Sequence, residues 1–217
     1  MTVNELRLVR VVSQLFEENC YIVHVASRDD ALIIDPGFDS DRILSYLDQQ
    51  RLTPAAILNT HGHADHICGN QAIKQRWPAC PLLIGAQDAE KLTSPVKNLS
   101  RGYGVDVVSP PADQLVRQGD KLELAGITLE VVEIPGHSRG HVVFLLKDHT
   151  PWLVFGGDVL FQGSVGRTDF PDGNTSELLE GIREKLYPLP DSTIVLSGHG
   201  PETTIGAERR TNPFVRA

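Results

Sequence analysis

The chain has 217 residues, 41% of them hydrophobic and 22% charged, with a net charge of −8. This is the composition of an ordinary water-soluble globular protein, and the acidic balance argues against a broad nucleic-acid surface. No run approaches the ~20 apolar residues of a membrane span, and Met1 to Arg7 lacks the charged-then-apolar pattern of a secretory signal, so a cytoplasmic protein without a membrane partner is expected.

Leu6 to Val12, Cys20 to Val25 and Ala31 to Ile34 read as strands, the last broken by Asp35-Pro36-Gly37. Asp39 to Gln50 spaces Ile43, Leu44 and Leu47 as a helix does, with Asp39 or Ser40 as its cap. Pro54 to Asn59 is a short apolar run of the buried-strand type, and Gly69 to Trp77 looks helical. Pro81 to Gly85 reads as a strand, Ala86 to Leu92 as a helix, and Thr93 to Pro111 as an irregular loop or lid. Ala125-Gly126 marks a hairpin between Lys121–Leu124 and Ile127–Ile134. His141 to Leu146, Trp152 to Phe155 and Thr193 to Leu196 are further strands, and Thr175 to Leu186 is a helix with Leu178, Leu179, Ile182 and Leu186 on one face. Strands and helices in both halves suggest two sheets packed face to face with helices outside. No linker divides the chain, so residues 1–217 read as one domain. Cys20, Cys68 and Cys80 are an odd set without paired spacing and read as reduced thiols; Cys68 reads as a small buried side chain on the first turn of the next helix.

The chemistry concentrates in Thr60-His61-Gly62-His63-Ala64-Asp65-His66. Three imidazoles and a carboxylate so close together are costly to bury unless they serve a cation, and zinc, iron and manganese all accept such donors. In an extended segment His61 and His63 face one side while Asp65 and His66 diverge, which suits two ions better than one. The run leaves the C-terminal end of a strand, where α/β enzymes often place their sites. Three later motifs also trail strands and set a ligand-type residue beside glycine: Pro135-Gly136-His137, Gly156-Gly157-Asp158 and Gly198-His199-Gly200. Alone, each has an ordinary explanation as a loop histidine or a helix cap; beside the first run, the metal reading is better. The division expected is His61, His63 and His137 on one ion, Asp65, His66 and His199 on the other, and Asp158 between them. His141 is expected to support the site, and His24 and His149 to be ordinary.

Thr60 to His66, Pro135 to His141, Gly157-Asp158 and Gly198-His199-Gly200 occur in an order that resembles the metallo-β-lactamase superfamily. The resemblance implies an α+β fold, a four-layer αββα sandwich, with a dinuclear site at one edge. Gly156 to Phe161, Gly163 to Asp169 and the tail Gly198 to Gly206 look most like the glyoxalase II (hydroxyacylglutathione hydrolase) group, in its short bacterial form. That likeness implies hydrolysis of a small-molecule thioester such as S-D-lactoylglutathione. A hydroxide bridging two divalent ions, zinc first with iron or manganese also admissible, would attack the thioester. Asp65 and Asp158 would then be catalytic as well as ligands. The likeness also places a cationic substrate contact at Arg167, with a surface salt bridge as the competing reading. Arg209, Arg210 and Asn212 would either touch substrate or dock the tail. One departure concerns the carrier. Full-length glyoxalase II enzymes add a helical C-terminal domain that helps hold glutathione, whereas the last ligand here is succeeded by Gly200 to Ala217. Persulfide dioxygenases are the nearest rival, resembled at Gly166-Arg167-Thr168-Asp169, and would use one iron on His61, His137 and Asp158; His141 favours the hydrolase. A nuclease, a β-lactamase and a non-catalytic metal-binding module rank lower, and neither metal identity nor oligomeric state can be read from the spacing.

Overall fold

In the computed structural model, which describes residues 5–216, the first apolar runs become strands β1 (Leu6–Val12), β2 (Asn19–Val25) and β3 (Asp30–Ile34). Met1 to Asn4, part of the stretch read for a secretory signal, and Ala217 lie outside the described residues. β2 is buried along its whole length, which requires cover on both faces. Helix α1 (Ser40–Gln50) supplies part of it, burying Ile43 and Leu47. Asp39 sits at its N-cap position without capping it: the Oδ2 atom accepts instead from the Gln14 amide at 3.0 Å and from Arg42 at 3.2 Å. The chain continues through β4 (Thr53–Asn59), the short helices α2 (Ala64–Ile67) and α3 (Asn70–Arg76), β5 (Leu82–Gly85), a 3₁₀ turn at Ala86–Lys91 and β6 (Gln114–Val116). The first sheet runs β1-β2-β3-β4-β5-β6, antiparallel through β3 and parallel from β3 onward.

The second sheet opens with the expected hairpin, β7 (Lys121–Leu124) and β8 (Ile127–Glu133). Both turn residues have positive φ, 50° at Ala125 and 71° at Gly126, as a two-residue hairpin with native twist requires. Then come β9 (Val142–Leu146), β10 (Leu153–Gly157), a small hairpin of β11 (Leu160–Phe161) and β12 (Ser164–Val165), and helix α4 (Thr175–Gly181), continued by a wider π turn over Ile182–Leu186. β13 (Ile194–Ser197), β14 (Thr203–Thr204) and α5 (Ile205–Thr211) complete it. The strand order is β14-β13-β10-β9-β8-β7.

Period-two alternation sorts the side chains into layers. Leu32, Leu58, Phe144, Phe155 and Leu196 meet between the sheets. Ile33, Ile57 and Ile84 face the other way, onto Ile43, Leu47 and Ile73 of the helices. Val143, Val154 and Val195 pack outward on Leu178, Ile182 and Ile205. The result is the four-layer αββα sandwich expected. Several elements were not foreseen: α2, β6, the β11–β12 hairpin, β14 and α5. Cys68, expected on the first turn of a following helix, instead closes α2 and is half-buried. Among the described residues no helix is long and apolar enough to cross a membrane.

Candidate metal centre

Parallel pairing sets the C-terminal ends of β3 and β4 side by side, and the donor-rich segment leaves from there. His61 and His63 lie on the connection after β4, and His63 is the last extended residue before α2 begins. Asp65 and His66 fall in that helix, whose turn brings round two side chains that an extended segment would have splayed. His137 lies just after β8, Asp158 after β10 and His199 after β13, so the four loops meet at one edge of the sandwich.

The seven side chains converge. Donor atoms of His61, His63 and His137 lie within 4.8 Å of one another, as do those of Asp65, His66 and His199, and those of His61, His66 and Asp158. Asp158 faces both outer groups. Its Oδ1 is 3.4 Å from His66 Nε2, and its Oδ2 is 3.5 Å from His137 Nε2 and 3.6 Å from His199 Nε2. Asp65 Oδ2 lies 3.3 Å from His199 Nε2, and His63 Nδ1 lies 2.9 Å from His137 Nε2.

In His61, His66, His137 and His199 the outward nitrogen is anchored, which fixes the tautomer and aims the other nitrogen inward. His137 Nδ1 donates to the Arg167 carbonyl at 2.8 Å, and His199 Nδ1 donates to the Phe16 carbonyl at 3.0 Å. His66 Nδ1 faces Asp35 Oδ2 at 3.1 Å, and His61 Nδ1 faces Thr60 Oγ1 at 3.1 Å. The inward atoms His61 Nε2, His66 Nε2 and Asp158 Oδ1 are buried without a hydrogen-bond partner. Such orphans are expensive, and a cation satisfies all three. Imidazole nitrogens with carboxylate oxygens are the donors zinc, iron and manganese accept, so the residues present fit a divalent metal.

Electrostatics divide the cluster. Burial, reinforced by neighbouring imidazoles, pushes His61, His63 and His141 well below the ordinary histidine value. Burial also lowers His137, against the opposing pull of Asp158. At His66 burial acts in the same direction, but Asp65, Asp158 and Asp35 overcome it and hold the ring well above its ordinary value. His199 is raised likewise, burial being outweighed by Asp158 and Asp65. Burial would raise the Asp65 carboxyl, yet His66 and His199 hold it below the usual carboxylate range.

Several supporting residues carry no signal in the sequence. Asp35, which reads there only as a strand breaker, is buried; it accepts from the Thr60 amide at 2.7 Å and the Thr60 hydroxyl at 2.6 Å, besides facing His66. Asp88 is fully buried and joins two donor loops: its carboxylate accepts from the Gly62 amide at 2.8 Å, from the Gly140 amide at 2.7 Å and from the Ser138 hydroxyl. Lys91 closes this network onto Ser138 and Asp172. His141, expected to support the site, accepts from the Asp158 amide at 3.1 Å and stacks on His61, centroids 4.8 Å apart. Gly157 makes that approach possible: it has φ of 46°, and a Cβ there would lie 2.7 Å from His141 Nε2. His24 is buried near the Tyr46 hydroxyl and His149 bonds the Pro151 carbonyl, both apart from the cluster.

A cavity of about 370 Å³ opens over the centre, with His63, Asp65, His137, Asp158 and His199 on its floor. Arg167 is on its wall, paired with Asp169 through two contacts of 2.7 and 2.6 Å. Arg209, Arg210 and Asn212, expected either to touch substrate or to dock the tail, are not on this wall. Arg209 and Arg210 pair with Asp191, and Asn212 is buried, donating to Glu208 at 2.8 Å and to the Ser164 carbonyl at 3.0 Å. Arg209 and Arg210 thereby tie the tail to the segment before β13, and Asn212 ties it to the β11–β12 hairpin.

Comparison with known proteins agrees with this geometry. The family description "Metallo-beta-lactamase superfamily" matches residues 14–199. The chain is 41% identical over 200 residues to a probable metallo-hydrolase, YqgX, of Bacillus subtilis, covering 92% of each chain. It is 36% identical over 205 residues to the hydroxyacylglutathione hydrolase GloC of Haemophilus influenzae, covering 93% of this chain and 94% of that one. Among solved structures, the BLEG-1 B3 metallo-beta-lactamase superposes with a TM-score of 0.91 at 36% identity, covering 97% of this chain and all of that one. TTHA1623 in a di-iron-bound form gives 0.84 at 34%, covering 95% and 100%. ETHE1 from Myxococcus xanthus gives 0.77 at 28%, covering 95% and 83%.

Proposed function

The chain belongs to the metallo-beta-lactamase superfamily, and on that premise we propose that it is a cytoplasmic hydrolase of thioesters of the S-D-lactoylglutathione kind. The observation that carries the reading is the convergence of seven imidazole and carboxylate side chains beneath a cavity, three of their inward atoms buried without a partner. The likeness to GloC, a hydroxyacylglutathione hydrolase, supports the reaction class. The three free cysteines agree with a reducing compartment.

His61, His63 and His137 would hold one divalent ion, Asp65, His66 and His199 another, and Asp158 would lie between. Bound there, such ions lower the pKa of water towards neutrality and polarise a carbonyl. The chain's own groups supply the rest. Asp65, kept ionised by His66 and His199, would orient the attacking water. The water oxygen adds to the thioester carbon, the carbon–sulfur bond breaks, the acid keeps that oxygen, and the thiol leaves with a proton. No side-chain nucleophile competes. Burial pushes all three thiols up, Cys80 to about 11, and none lines the cavity. The cavity serines Ser100 and Ser164 hydrogen-bond backbone carbonyls rather than a histidine. His137 and His199 stay oriented by the Arg167 and Phe16 carbonyls. Zinc is the first ion to test, and the di-iron form of TTHA1623 makes iron the second.

Elemental analysis of the purified protein beside turnover of S-D-lactoylglutathione tests the reading. About two divalent ions per chain should accompany hydrolysis, and a chelator should remove both. The Gly166–Asp169 motif sustains the rival reading, a mononuclear iron persulfide dioxygenase on His61, His137 and Asp158. Oxygen consumption with glutathione persulfide, about one iron per chain and no thioester turnover would establish that rival instead.

A further inference from the structure

The outer half of the cavity is a different environment from its floor. Three rings from three separate segments meet at its mouth: Phe16 from the β1–β2 turn, Phe38 from the segment after β3, and Tyr103 from the long connection between β5 and β6. The Phe16 centroid is 5.2 Å from that of Tyr103, edge to face, and 5.9 Å from that of Phe38. Phe16 is 42% exposed and Tyr103 59%, an arrangement that stability alone does not favour. Phe16 also holds a left-handed φ of 66°, a conformation that is unfavourable for a residue with a side chain. Its carbonyl is the acceptor that aims His199, so one strained residue both orients a donor and sets a ring over the opening.

Cationic groups are scarce around this mouth. Arg167 is the only lysine or arginine on the described wall, and its guanidinium lies 4.4 Å from the Phe170 centroid while gripping Asp169. That grip holds the Asp169 carboxyl down to about 2. Being exposed, the pair is weak in itself. Even so, a carboxylate two residues away is present at an effective concentration that a free substrate carboxylate does not match, and Asp169 would repel the newcomer. A glutathione thioester brings two carboxylates to a wall with one engaged cation.

We propose that the preferred substrates are thioesters carrying an uncharged aromatic or branched apolar group against the Phe16–Phe38–Tyr103 lip, and that the glutathione carboxylates contribute little to recognition. This rests on the thioester-hydrolase reading above and narrows its substrate class.

The test crosses two acyl groups with two carriers: lactoyl or mandeloyl (phenyl in place of methyl), on glutathione or on N-acetylcysteamine, with metal-loaded protein. Exchanging glutathione for the uncharged carrier should change kcat/KM by less than about threefold. Exchanging methyl for phenyl should raise it roughly tenfold, and Tyr103→Ala should cut that phenyl-to-methyl ratio by about the same factor. A preference for glutathione above about tenfold that Arg167→Gln abolishes would overturn the proposal. So would equal turnover of the two acyl groups, or a ratio that Tyr103→Ala leaves untouched. Metal-loaded protein that cleaves none of the four esters overturns the hydrolase reading itself, and this inference with it.

Discussion

The two halves of the centre use the same residue type in opposite electrostatic settings. His61, His63 and His137 are held in place largely by neutral partners, a threonine hydroxyl, a backbone carbonyl and each other, and burial keeps all three rings below their ordinary proton affinity. His66 and His199 sit among Asp35, Asp65 and Asp158, and both rings are raised. Each half also has its own buried aspartate behind it: Asp88 ties the loop of His61 and His63 to the loop after β8, and Asp35 braces His66. The lesson is that a histidine's readiness to bind a cation is set by what stands behind it. The rings held low give up their proton more readily, and the rings held high keep it longer before an ion displaces it.

Asp158 is the residue that erases this distinction, because its two oxygens face both halves. Asp158→Ala should lower thioester turnover by more than the roughly 100-fold that loss of an outer partner costs, with bound metal falling in parallel by elemental analysis. Unchanged metal content and turnover would rule out its intermediate position. The two supporting aspartates separate the halves. Asp88→Asn leaves the Gly62 and Gly140 amides competing for a weaker acceptor, and Asp35→Asn does the same for Thr60 and His66. Each should cost about 10- to 100-fold in activity, but Asp88→Asn should weaken the ion at His61, His63 and His137, and Asp35→Asn the other. Stepwise chelator titration reads which ion leaves first, and an identical order in both variants would break the pairing of brace with half.

Distance along the chain decides how much of this is legible in the sequence. His61 to His66 announce themselves because four donors fall in six positions, and His137, Asp158 and His199 because each trails a strand beside glycine. Asp35 and Asp88 give no such sign. Each is a lone aspartate, Asp35 reading as a strand breaker and Asp88 as part of a helix, and their partners lie 25 to 52 residues away. Asp65 and His66 converge because α2 rotates them inward, and a four-residue helix is invisible to periodicity. The sandwich itself is readable from the alternation in β8 and from unbroken apolar runs such as β3. β6 escapes notice because it is a three-residue edge strand with two exposed positions. α5 escapes it because its seven residues depend on tertiary anchors, the Thr204 cap and the buried Glu208 bonded to Thr203 and Asn212, rather than on an apolar stripe. The Phe16 lip has no sequence signature, since its three rings come from segments more than 20 residues apart.

A smaller effect should appear in the pH dependence of metal uptake. Acidification restores protons first to the raised rings of His66 and His199, so apparent affinity there should fall by about tenfold per pH unit for each proton displaced. The lowered rings of His61, His63 and His137 should keep their ion to a more acidic pH. Isothermal titration of the metal-free protein at several pH values should therefore resolve two phases that draw apart as pH falls; phases that move together would contradict the electrostatic division.

The smallest effect tests the ground beneath the acidic half. Glu18 is fully buried, accepts from the Ser13 hydroxyl at 2.9 Å through Oε2, and leaves Oε1 without a partner. Burial, partly offset by His66 and reinforced by Asp35, raises its carboxyl well above 4.5. The unfolded chain releases that proton near 4.5 while the folded chain retains it, so above this pH the folded state binds more protons and stability declines as pH rises towards the folded value. Glu18→Gln keeps the shape and removes the titration. It should stabilise the protein by about 1 kcal/mol at pH 8, with the advantage fading below pH 4.5, where both forms are neutral. Denaturant melts at the two pH values measure it. A gain from Glu18→Gln that is the same at both would mean that charge burial is not the cost.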